Sequence, residues 1–372
     1  MKLTINKGDI LDVLGKIQGL TGRKSSLAIT EAVLVKAGNG QVTLTATDLE
    51  TGFEGVYPAK VESEGTIGIH ARKFFEIVKD FPSEDIQIDE VENHWIEIGK
   101  DKVQYHLVGM NPDDFPEVPR LEDTNLHDFD SGILKTMIEK TVFIGGLSDD
   151  KRAHLVGVFL ENLNQAGQHI VRMVSTDGSR LSTVDCFTES DLKIPLGEGI
   201  IIPKKGLSDA GKFLDGSGTV RIGVKNNNFI LKKEKETIII RLLEGTFPKY
   251  HDIIKKTGGH NIQFDKRKFL MMLKRMSILT SDSYKGALFK FEAGKLTINA
   301  TNPDMGESKE DMEIEFSGKT IEVSFNPKFF TDALNMIEED TILMNIINEE
   351  KPCIIKGEND DRFLTVIMPM KI

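Results

Sequence analysis

The chain has 372 residues, of which 39% are hydrophobic and 28% charged, as in a soluble globular protein long enough for two or three domains. Its formal net charge of −11 argues against nucleic-acid binding over the whole surface but allows a local basic strip. No apolar run approaches the ~18 residues of a membrane span, and the first residues lack an apolar signal segment. Two isolated cysteines, Cys186 and Cys353, suit a reducing compartment, so we expect a cytoplasmic protein without membrane contact.

The same patterns recur three times along the chain, and each set begins with an amphipathic helix. Apolar residues three and four positions apart predict this helix in GDILDVLGKIQGL, SGILKTMIEKTVF and RKFLMMLKRMSIL. An alternating strand comes next and ends in Thr followed by Asp or Asn. These pairs are Thr47-Asp48, Thr176-Asp177 and Thr301-Asn302.

Each copy continues with a short apolar strand and a second amphipathic helix, which a lysine opens at Lys73, Lys205 or Lys328. The segments are TIGIHARKFFEIVKDF, GIIIPKKGLSDAGKFL and TIEVSFNPKFFTDALNMI. VQYHLVGMNPDDFP and IIIRLLEGTFP then match each other, and FLTVIMPMKI stands at the corresponding place in the third copy. Ordered landmarks about 125 to 130 residues apart indicate three domains of one fold rather than solenoid units.

Two polar segments that contain Pro or Gly, Pro116–Asn125 and Lys255–Asn261, separate the copies as linkers do. We therefore predict domains at 1–123, 124–257 and 258–372. Each copy contains many short alternating strands and two helices. This combination predicts an α+β fold of three similar domains, each with antiparallel sheets.

Signatures of catalysis are missing from the sequence, which has no G-x-x-x-x-G-K-[ST], H-E-x-x-H or G-x-S-x-G segment. His154 near Asp149 and Asp150 is a candidate metal cluster, but a solvated loop is the more typical structure. Ser179 has no evident His partner. We predict no catalytic residues, no metal and no cofactor.

For the Thr-Asp turn, a structural role and a functional role must be distinguished. Asp48, Asp177 and Asn302 recur in all three copies, which favours a turn-capping role, since a catalytic group is expected in one copy only. Arg180 and Leu181 occur in the middle copy alone and indicate a function specific to the central domain. Core packing of Leu181 and a surface ion pair of Arg180 are the simpler alternatives.

Lysine and arginine are concentrated in the predicted helices although the whole chain is acidic. The residues are Arg23, Lys24, Arg72, Lys73, Lys79, Lys135, Lys140, Lys204, Lys205, Lys212, Lys266, Arg267, Lys268, Lys274, Arg275 and Lys328. A basic helical layer on an acidic body predicts contact with duplex phosphates on one face, without base readout. An ordinary lysine-rich helix surface is the alternative. Phe74, Phe75, Phe329 and Phe330 stand at apolar helix positions and are expected in the core rather than stacked on bases.

Five short segments together resemble the bacterial DNA polymerase III beta subunit family of sliding clamps. They are ARKFF from Ala71, ATD from Ala46, TDG-RL from Thr176, FP-Y from Phe247 and the final MPMKI. The resemblance extends over essentially the whole chain. It implies a DNA clamp fold of three similar domains, which closes as a head-to-tail homodimeric ring with helices inside and sheets outside. It also implies a processivity factor that encircles duplex DNA, an accessory subunit of a DNA-directed DNA polymerase without catalysis of its own.

The resemblance implies a pocket that binds short linear peptides of the replicative polymerase catalytic subunit, the clamp loader, other polymerases and repair proteins. Its residues are Leu155, Thr176, Gly178, Arg180, Leu181, Pro248, Ile253, Val366, Ile367, Met368, Pro369 and Met370. The implied DNA contacts are Lys24, Arg72, Lys73, Lys204 and Lys205. The implied subunit interface joins Tyr105 and Leu107 to Ile278 and Leu279. Ser179 and His154 depart from residues found in some relatives, which affects the expected peptide preference.

Three hypotheses follow from the sequence. The first is a ring-shaped processivity factor. The second is an enzyme with an unrecognised site on the central domain, built from Asp177, Ser179 and Arg180. The third is a three-domain scaffold without a nucleic-acid role.

Overall fold

The computed structural model describes most of the chain. The described residues are 1–21, 28–100, 102–119, 124–145, 152–165, 167–188, 194, 196–255, 258–280 and 285–370. Within them, three copies share the order strand, helix, three strands, strand, helix, three strands. The first copy adds β5 and the second adds α4, and α6 lies between the second and third copies.

The elements follow in chain order. The first copy contains β1 (Lys2–Asn6), α1 (Lys7–Lys16), β2 (Ala32–Gly38), β3 (Gln41–Thr47), β4 (Thr51–Pro58), β5 (Lys60–Ser63), β6 (Gly65–His70), α2 (Ala71–Asp80), β7 (Asp85–Glu90), β8 (Trp95–Lys100) and β9 (Val103–Val108). The second contains β10 (His127–Asp130), α3 (Ser131–Val142), α4 (Ala153–Val156), β11 (Gly157–Gln165), β12 (Gln168–Thr176), β13 (Arg180–Thr188), β14 (Ile200–Pro203), α5 (Lys204–Gly211), β15 (Thr219–Lys225), β16 (Asn228–Lys233) and β17 (Glu236–Arg241), and α6 (His251–Ile254) follows it. The third contains β18 (His260–Asp265), α7 (Lys266–Met276), β19 (Ala287–Glu292), β20 (Lys295–Asn302), β21 (Gly306–Glu313), β22 (Ile321–Phe325), α8 (Pro327–Met336), β23 (Thr341–Ile346), β24 (Cys353–Gly357) and β25 (Phe363–Ile367).

The first helix of every copy begins at an Asx residue that ends the preceding strand. Asn6 accepts a hydrogen bond from the Gly8 amide at 2.9 Å, and Asp265 accepts one from the Lys268 amide at 2.8 Å. Asp130 serves the helix of the second copy in the same way. Such caps satisfy backbone donors that the first helical turn leaves free. All six predicted helices are confirmed, while the short α4 and α6 were not predicted.

Two large sheets each combine strands of two consecutive copies. One has the order β10-β15-β16-β17-β4-β3-β2-β6, in which β17 of the second copy pairs with β4 of the first. The other has the order β14-β11-β12-β13-β25-β24-β23-β18, in which β25 of the third copy pairs with β13 of the second. Two smaller sheets, β5-β1-β7-β8-β9 and β21-β20-β19-β22, belong to the first and third copies alone. The expected α+β class with antiparallel sheets is confirmed.

The chain separates into two compact units, and the central copy contributes to both. Unit one comprises 1–135, 193–196 and 202–242, and unit two comprises 136–192, 197–201 and 243–372. The division follows the shared sheets, because a continuous antiparallel ladder ties half of the central copy to each neighbour. The two predicted boundaries between the three domains therefore stay predictions.

Each unit has its own apolar core. In unit one, Phe53 stacks on Phe213 with ring centroids 5.0 Å apart. In unit two, Phe289 and Phe325 pack around Phe330, which is fully buried. Phe74 is also buried, so the expected core position is confirmed for Phe74 and Phe330. Phe75 and Phe329, which were also expected in the core, are only partly buried. No helix among the described residues combines the length and apolar character needed to cross a membrane.

Candidate functional site

The Thr176–Arg180 turn, which joins β12 to β13, is fixed by its own side chains. The Thr176 hydroxyl donates to the Arg180 carbonyl at 2.7 Å. Asp177 Oδ1 accepts the backbone amides of Ser179 and Arg180, both at 3.0 Å. Gly178 has a φ of 89°, a left-handed conformation that glycine adopts without strain. The turn therefore holds its shape without any contribution from a ligand.

The Thr47–Thr51 turn of the first copy repeats this arrangement. The Thr47 hydroxyl donates to the Thr51 carbonyl at 3.0 Å, and Asp48 Oδ1 accepts the amides of Glu50 and Thr51 at 3.1 and 2.7 Å. In the third copy, Asn302 Oδ1 accepts one amide, that of Asp304, at 3.0 Å. The structural role predicted for the recurring Asp and Asn is confirmed.

Arg180 is buried, at 7% exposure, rather than displayed on the surface. Its Nε donates to Asp177 at 2.9 Å and its Nη1 donates to Asp332 of α8 at 2.7 Å. The guanidinium carbon lies 4.4 Å from the centre of the Phe329 ring, also on α8. Two carboxylates and the Phe329 ring thus contact the guanidinium within the protein. Arg180 therefore stays a predicted pocket residue, with its guanidinium held by two carboxylates of the protein.

An apolar cluster lies under the turn and forms the floor of the candidate site. It contains Val174, Leu181, Ile201, Phe247, Tyr250, Ile354 and Val366, and Phe159, Leu243, Ile254 and Leu364 pack against it. The antiparallel pairing of β13 with β25 brings Leu181 opposite Val366. Phe159 stacks on Phe247 with ring centroids 4.8 Å apart. The floor is therefore built from several segments distant in sequence.

The residues expected to line the peptide pocket fall into two groups by burial. Those in the floor or beneath the turn are Leu155, Thr176, Arg180, Leu181, Val366 and Ile367, each less than 9% exposed. Those that reach the surface are Gly178, Pro248, Ile253, Met368, Pro369 and Met370. A Cβ added to Gly178 would lie 4.0 Å from Leu155, so the turn lies against α4. The second group forms the accessible, largely apolar surface.

The chain after β25 forms one margin of this surface. The Met368 amide donates to the Ser179 carbonyl at 2.9 Å, and the Met370 amide donates to the Ser324 carbonyl at 2.8 Å. The side chains of Met368 and Met370 are 38% and 36% exposed. Methionine is unbranched and adapts to different neighbours, so this margin suits ligands of varied shape.

A buried polar ladder anchors Tyr250 below the surface. Glu161, Arg172 and Asp185 lie side by side on β11, β12 and β13. Arg172 forms two bonds of 2.6 Å with Asp185, and the Tyr250 hydroxyl donates to Glu161. Burial and the bond to Glu161 raise the pKa of Tyr250 well above its ordinary value. Sequence patterns missed this ladder, although charged residues within apolar strands were a possible signal.

The predicted DNA-contact residues differ in exposure. The side chains of Arg72 and Lys73 on α2 are 61% exposed, and both bond Glu76, whose pKa these bonds lower. The side chain of Lys205 is 54% exposed and contacts Asp48. Lys204 is only 9% exposed, so it does not belong to the accessible basic surface. Lys24 lies outside the described residues, as do Asp149 and Asp150 of the candidate metal cluster.

The residues expected at a subunit interface lie on two sheet margins. Tyr105 and Leu107 belong to β9, which pairs only with β8 among the described strands. Ile278 and Leu279 lie in a 3₁₀ turn, Ser277–Leu279, which packs against β21. Ile278 is 71% exposed, unusual for so apolar a side chain. Each margin therefore combines an unpaired strand edge with exposed apolar groups.

Among the described residues, no group of three or more His, Cys, Asp or Glu side chains is arranged to hold a metal ion. What remains is three copies of one α+β domain joined through shared sheets, with an apolar surface groove and cationic helices. This architecture defines the DNA clamp class of proteins.

Comparison with known families identifies the member of that class. The DNA polymerase III beta subunit N-terminal, central and C-terminal domain models match residues 1–119, 128–249 and 252–371. The chain belongs to the DNA polymerase III beta subunit family, the sliding clamps, which are accessory subunits of the polymerase without catalytic activity. The enzyme hypothesis finds no support.

Two relatives and one solved structure match over at least 99% of both chains. The chain is 27% identical to the beta sliding clamp of Chlamydia pneumoniae, covering 100% of this chain and 99% of that protein. It is 26% identical to the beta sliding clamp of Pseudomonas putida, covering 100% of both. The crystal structure of the DNA polymerase III subunit beta from Pseudomonas aeruginosa is 26% identical, covers 100% of both chains and superposes with a TM-score of 0.90.

Proposed function

We propose that two copies of this chain close head to tail into a ring around duplex DNA, and that the ring tethers replication proteins to it. The observation that carries the proposal is a missing junction between copies. The first copy and the third copy each keep one unpaired strand edge. Two of the three possible junctions between copies are formed within one chain, by β17 with β4 and by β25 with β13.

In the proposed ring, a second chain forms the third junction. β9 is the last strand of the first copy and corresponds to β17 and β25. β21 is the third strand of its triplet and corresponds to β4 and β13. In the described part of the chain, β9 and β21 each keep one unpaired side, a feature that soluble proteins normally cover. Pairing β9 of one chain with β21 of another covers both edges and closes the cycle.

Apolar residues beside these edges support the pairing. Tyr105 and Val108 on β9 are 37% and 65% exposed, and Ile278 next to β21 is 71% exposed. Burying such side chains contributes about 1.5–3 kcal/mol each, enough to favour a dimer. Tyr105, Leu107, Ile278 and Leu279 are therefore the proposed interface residues.

The helices supply the proposed DNA surface. α7 carries five cations, Lys266, Arg267, Lys268, Lys274 and Arg275, and no acid. α2 adds the exposed Arg72 and Lys73, and α5 adds Lys205. Flexible cations without an aromatic platform favour contact with phosphates irrespective of sequence, which permits sliding. Lys204 is left out of this surface because it is buried.

The groove on unit two is the proposed docking site for partners. Its apolar floor and the accessible Met368, Met370, Pro248 and Ile253 suit an extended peptide with Leu or aromatic side chains. The partners proposed are the replicative polymerase catalytic subunit, the clamp loader, other polymerases and repair proteins in the cytoplasm. Each contributes a short linear peptide to the same groove.

Retention on circular against linear duplex DNA tests the ring. After loading by a clamp loader, the protein should co-elute with nicked circular DNA through a sizing column and be lost once the circle is cut. Equal retention on both forms would contradict a topological link. Ile278→Asp combined with Leu279→Asp, which opens the third junction, should abolish retention, while Ile133→Asp on α3 serves as an exposed apolar control.

A further inference from the structure

A second groove in the chain reproduces the architecture of the proposed peptide groove at the junction of the first and second copies. Its turn, Thr47–Thr51, repeats the hydrogen bonds of Thr176–Arg180. The third residue of each turn has a left-handed backbone, with φ of 77° at Leu49 and 89° at Gly178. A leucine side chain thus stands where the central turn has none.

In both grooves the neighbouring chain segment bonds the fourth residue of the turn, so the two segments are in the same register relative to their turns. The Arg241 amide donates to the Glu50 carbonyl at 2.8 Å, as the Met368 amide donates to the Ser179 carbonyl at 2.9 Å. Arg241 therefore occupies, in the first junction, the place that Met368 has in the second. The floor position of Leu181 is taken by Gly52, which lets Val118 of the linker approach: a Cβ on Gly52 would lie 3.0 Å from a Val118 methyl group.

These replacements leave an open cavity of about 380 Å³ between the turn, the linker at residues 116–119 and the end of β17. Its apolar lining includes Leu49, which is 47% exposed, together with Pro116, Val118 and Ile239. The volume is within the range of sites that hold small ligands or a few residues of an extended peptide.

The charges at the rim define the ligand. Arg241 is exposed and lines the cavity. Glu50 and Glu117 also line the cavity, so a run of acids would be repelled. A ligand with one carboxylate that binds Arg241 and a neighbouring apolar side chain that contacts Leu49 and Val118 satisfies both conditions. Guanidinium and carboxylate groups form strong paired hydrogen bonds.

We propose that this first-junction groove is a second peptide site, which binds an extended segment carrying one acidic side chain beside an apolar one. The inference rests on the proposed function, because the partner it assumes is a clamp-bound protein with a short linear segment. It differs in chemistry from the groove on unit two, where Met368 stands in place of Arg241.

The test uses fluorescein-labelled hexapeptides with one Leu and one Asp one to three positions later, together with Asn counterparts. They are titrated by anisotropy up to about 1 mM. The full-length dimer has both grooves, so the measurement is made in two backgrounds that block the groove on unit two. One lacks residues 368–372, and the other carries Gly178→Leu, a side chain that Leu49 shows the turn accepts.

At least one Asp peptide should bind in both backgrounds, and its Asn counterpart should bind about tenfold more weakly. Arg241→Glu should abolish binding, while the control Glu117→Gln should retain or strengthen it. Absence of binding by every Asp peptide, or binding unaffected by Arg241→Glu, would overturn the second site. An apolar peptide with Leu and Phe, bound by the unaltered dimer in the same assay, shows whether the proposed function itself holds.

Discussion

Arg180 Nη1 donates to Asp332 Oδ2 at 2.7 Å and so joins the central-copy turn to the second helix of the third copy. The two residues are 152 positions apart in sequence. Arg180 is 7% exposed and Asp332 28%, so the pair is largely shielded from solvent. Arg180 therefore links the Thr176–Arg180 turn to α8, and we expect its effect on binding in the proposed peptide groove to be indirect.

Asp332→Ala should destabilise the protein by about 1–3 kcal/mol, since it removes one of two carboxylates from a buried guanidinium. Asp177 still holds Arg180, so the turn should persist and peptide affinity should fall only severalfold. Urea unfolding and peptide titration on the same preparation measure the two effects. Glu322→Ala, which breaks an exposed pair with Lys290, is the matched control and should change neither. Loss of all peptide binding in a stable Asp332→Ala dimer would show that Asp177 alone does not keep the turn in its binding conformation.

The repeat made much of the fold predictable. Apolar periodicity located all six principal helices, and the recurring Thr-Asp pairs located equivalent turns, because both depend on residues close together in sequence. The direction of the Arg180 side chain was not predictable. It depends on Asp332 and Phe329, which only the tertiary fold brings beneath the turn.

Exposure was the second property that local sequence did not reveal. Lys204 and Lys205 are neighbours in a basic segment, yet the first is buried and the second contacts Asp48 at the surface. Consecutive helical residues point about 100° apart, so one basic pair can serve two environments. The sharing of sheets between copies also depends on pairing between distant strands, which alternation along one strand cannot specify.

The subunit junction should depend on the apolar residues next to β21. Ile278→Ala with Leu279→Ala should shift the protein towards monomer, because each junction loses buried apolar area equivalent to about 1.5–3 kcal/mol per side chain. Sedimentation velocity over a dilution series measures the shift. Ile133→Ala, an exposed apolar residue on α3, should leave the dimer intact. An unchanged dimer at the lowest concentration for the double variant would refute the assigned interface.

The basic helix surface should account for DNA association. Arg72→Glu with Lys73→Glu should weaken binding to duplex DNA and reduce its dependence on salt, since fewer counterions are released. The matched control reverses the charges of Lys36 and Lys60, two exposed cations on strands of the same copy, by changing both to Glu. Equal loss in both double variants would indicate a general charge effect. A preference of the unaltered protein for one duplex sequence would contradict sliding.

Alkaline pH should destabilise the fold through Tyr250. Burial and the Glu161 bond raise its pKa in the folded state above the unfolded value of about 10. Its contribution is therefore complete below about pH 10 and is lost as the pH rises above that value, at up to about 1.4 kcal/mol per pH unit. Tyr250→Phe should lower stability at neutral pH and flatten the decline above pH 10. Tyr57→Phe, in unit one, removes a second tyrosine of raised pKa and controls for the remaining slope.

The segment after β25 should be essential for peptide binding and dispensable for dimerisation. Met368 bonds Ser179 and Met370 bonds Ser324, so residues 368–370 form the margin of the groove, while the proposed subunit junction uses β9 and β21. Deleting residues 368–372 should raise the Kd for a peptide with Leu and Phe beyond the measurable range.

Sedimentation and thermal unfolding of the deletion should show a folded dimer, because the apolar floor below the groove ends at Val366. Met368→Asp tests the same margin without shortening the chain. It places a charge on the apolar surface and should weaken peptide binding at least about tenfold. If a folded, dimeric deletion binds the peptide as tightly as the unaltered protein, partners dock elsewhere and the Thr176–Arg180 turn has only a structural role.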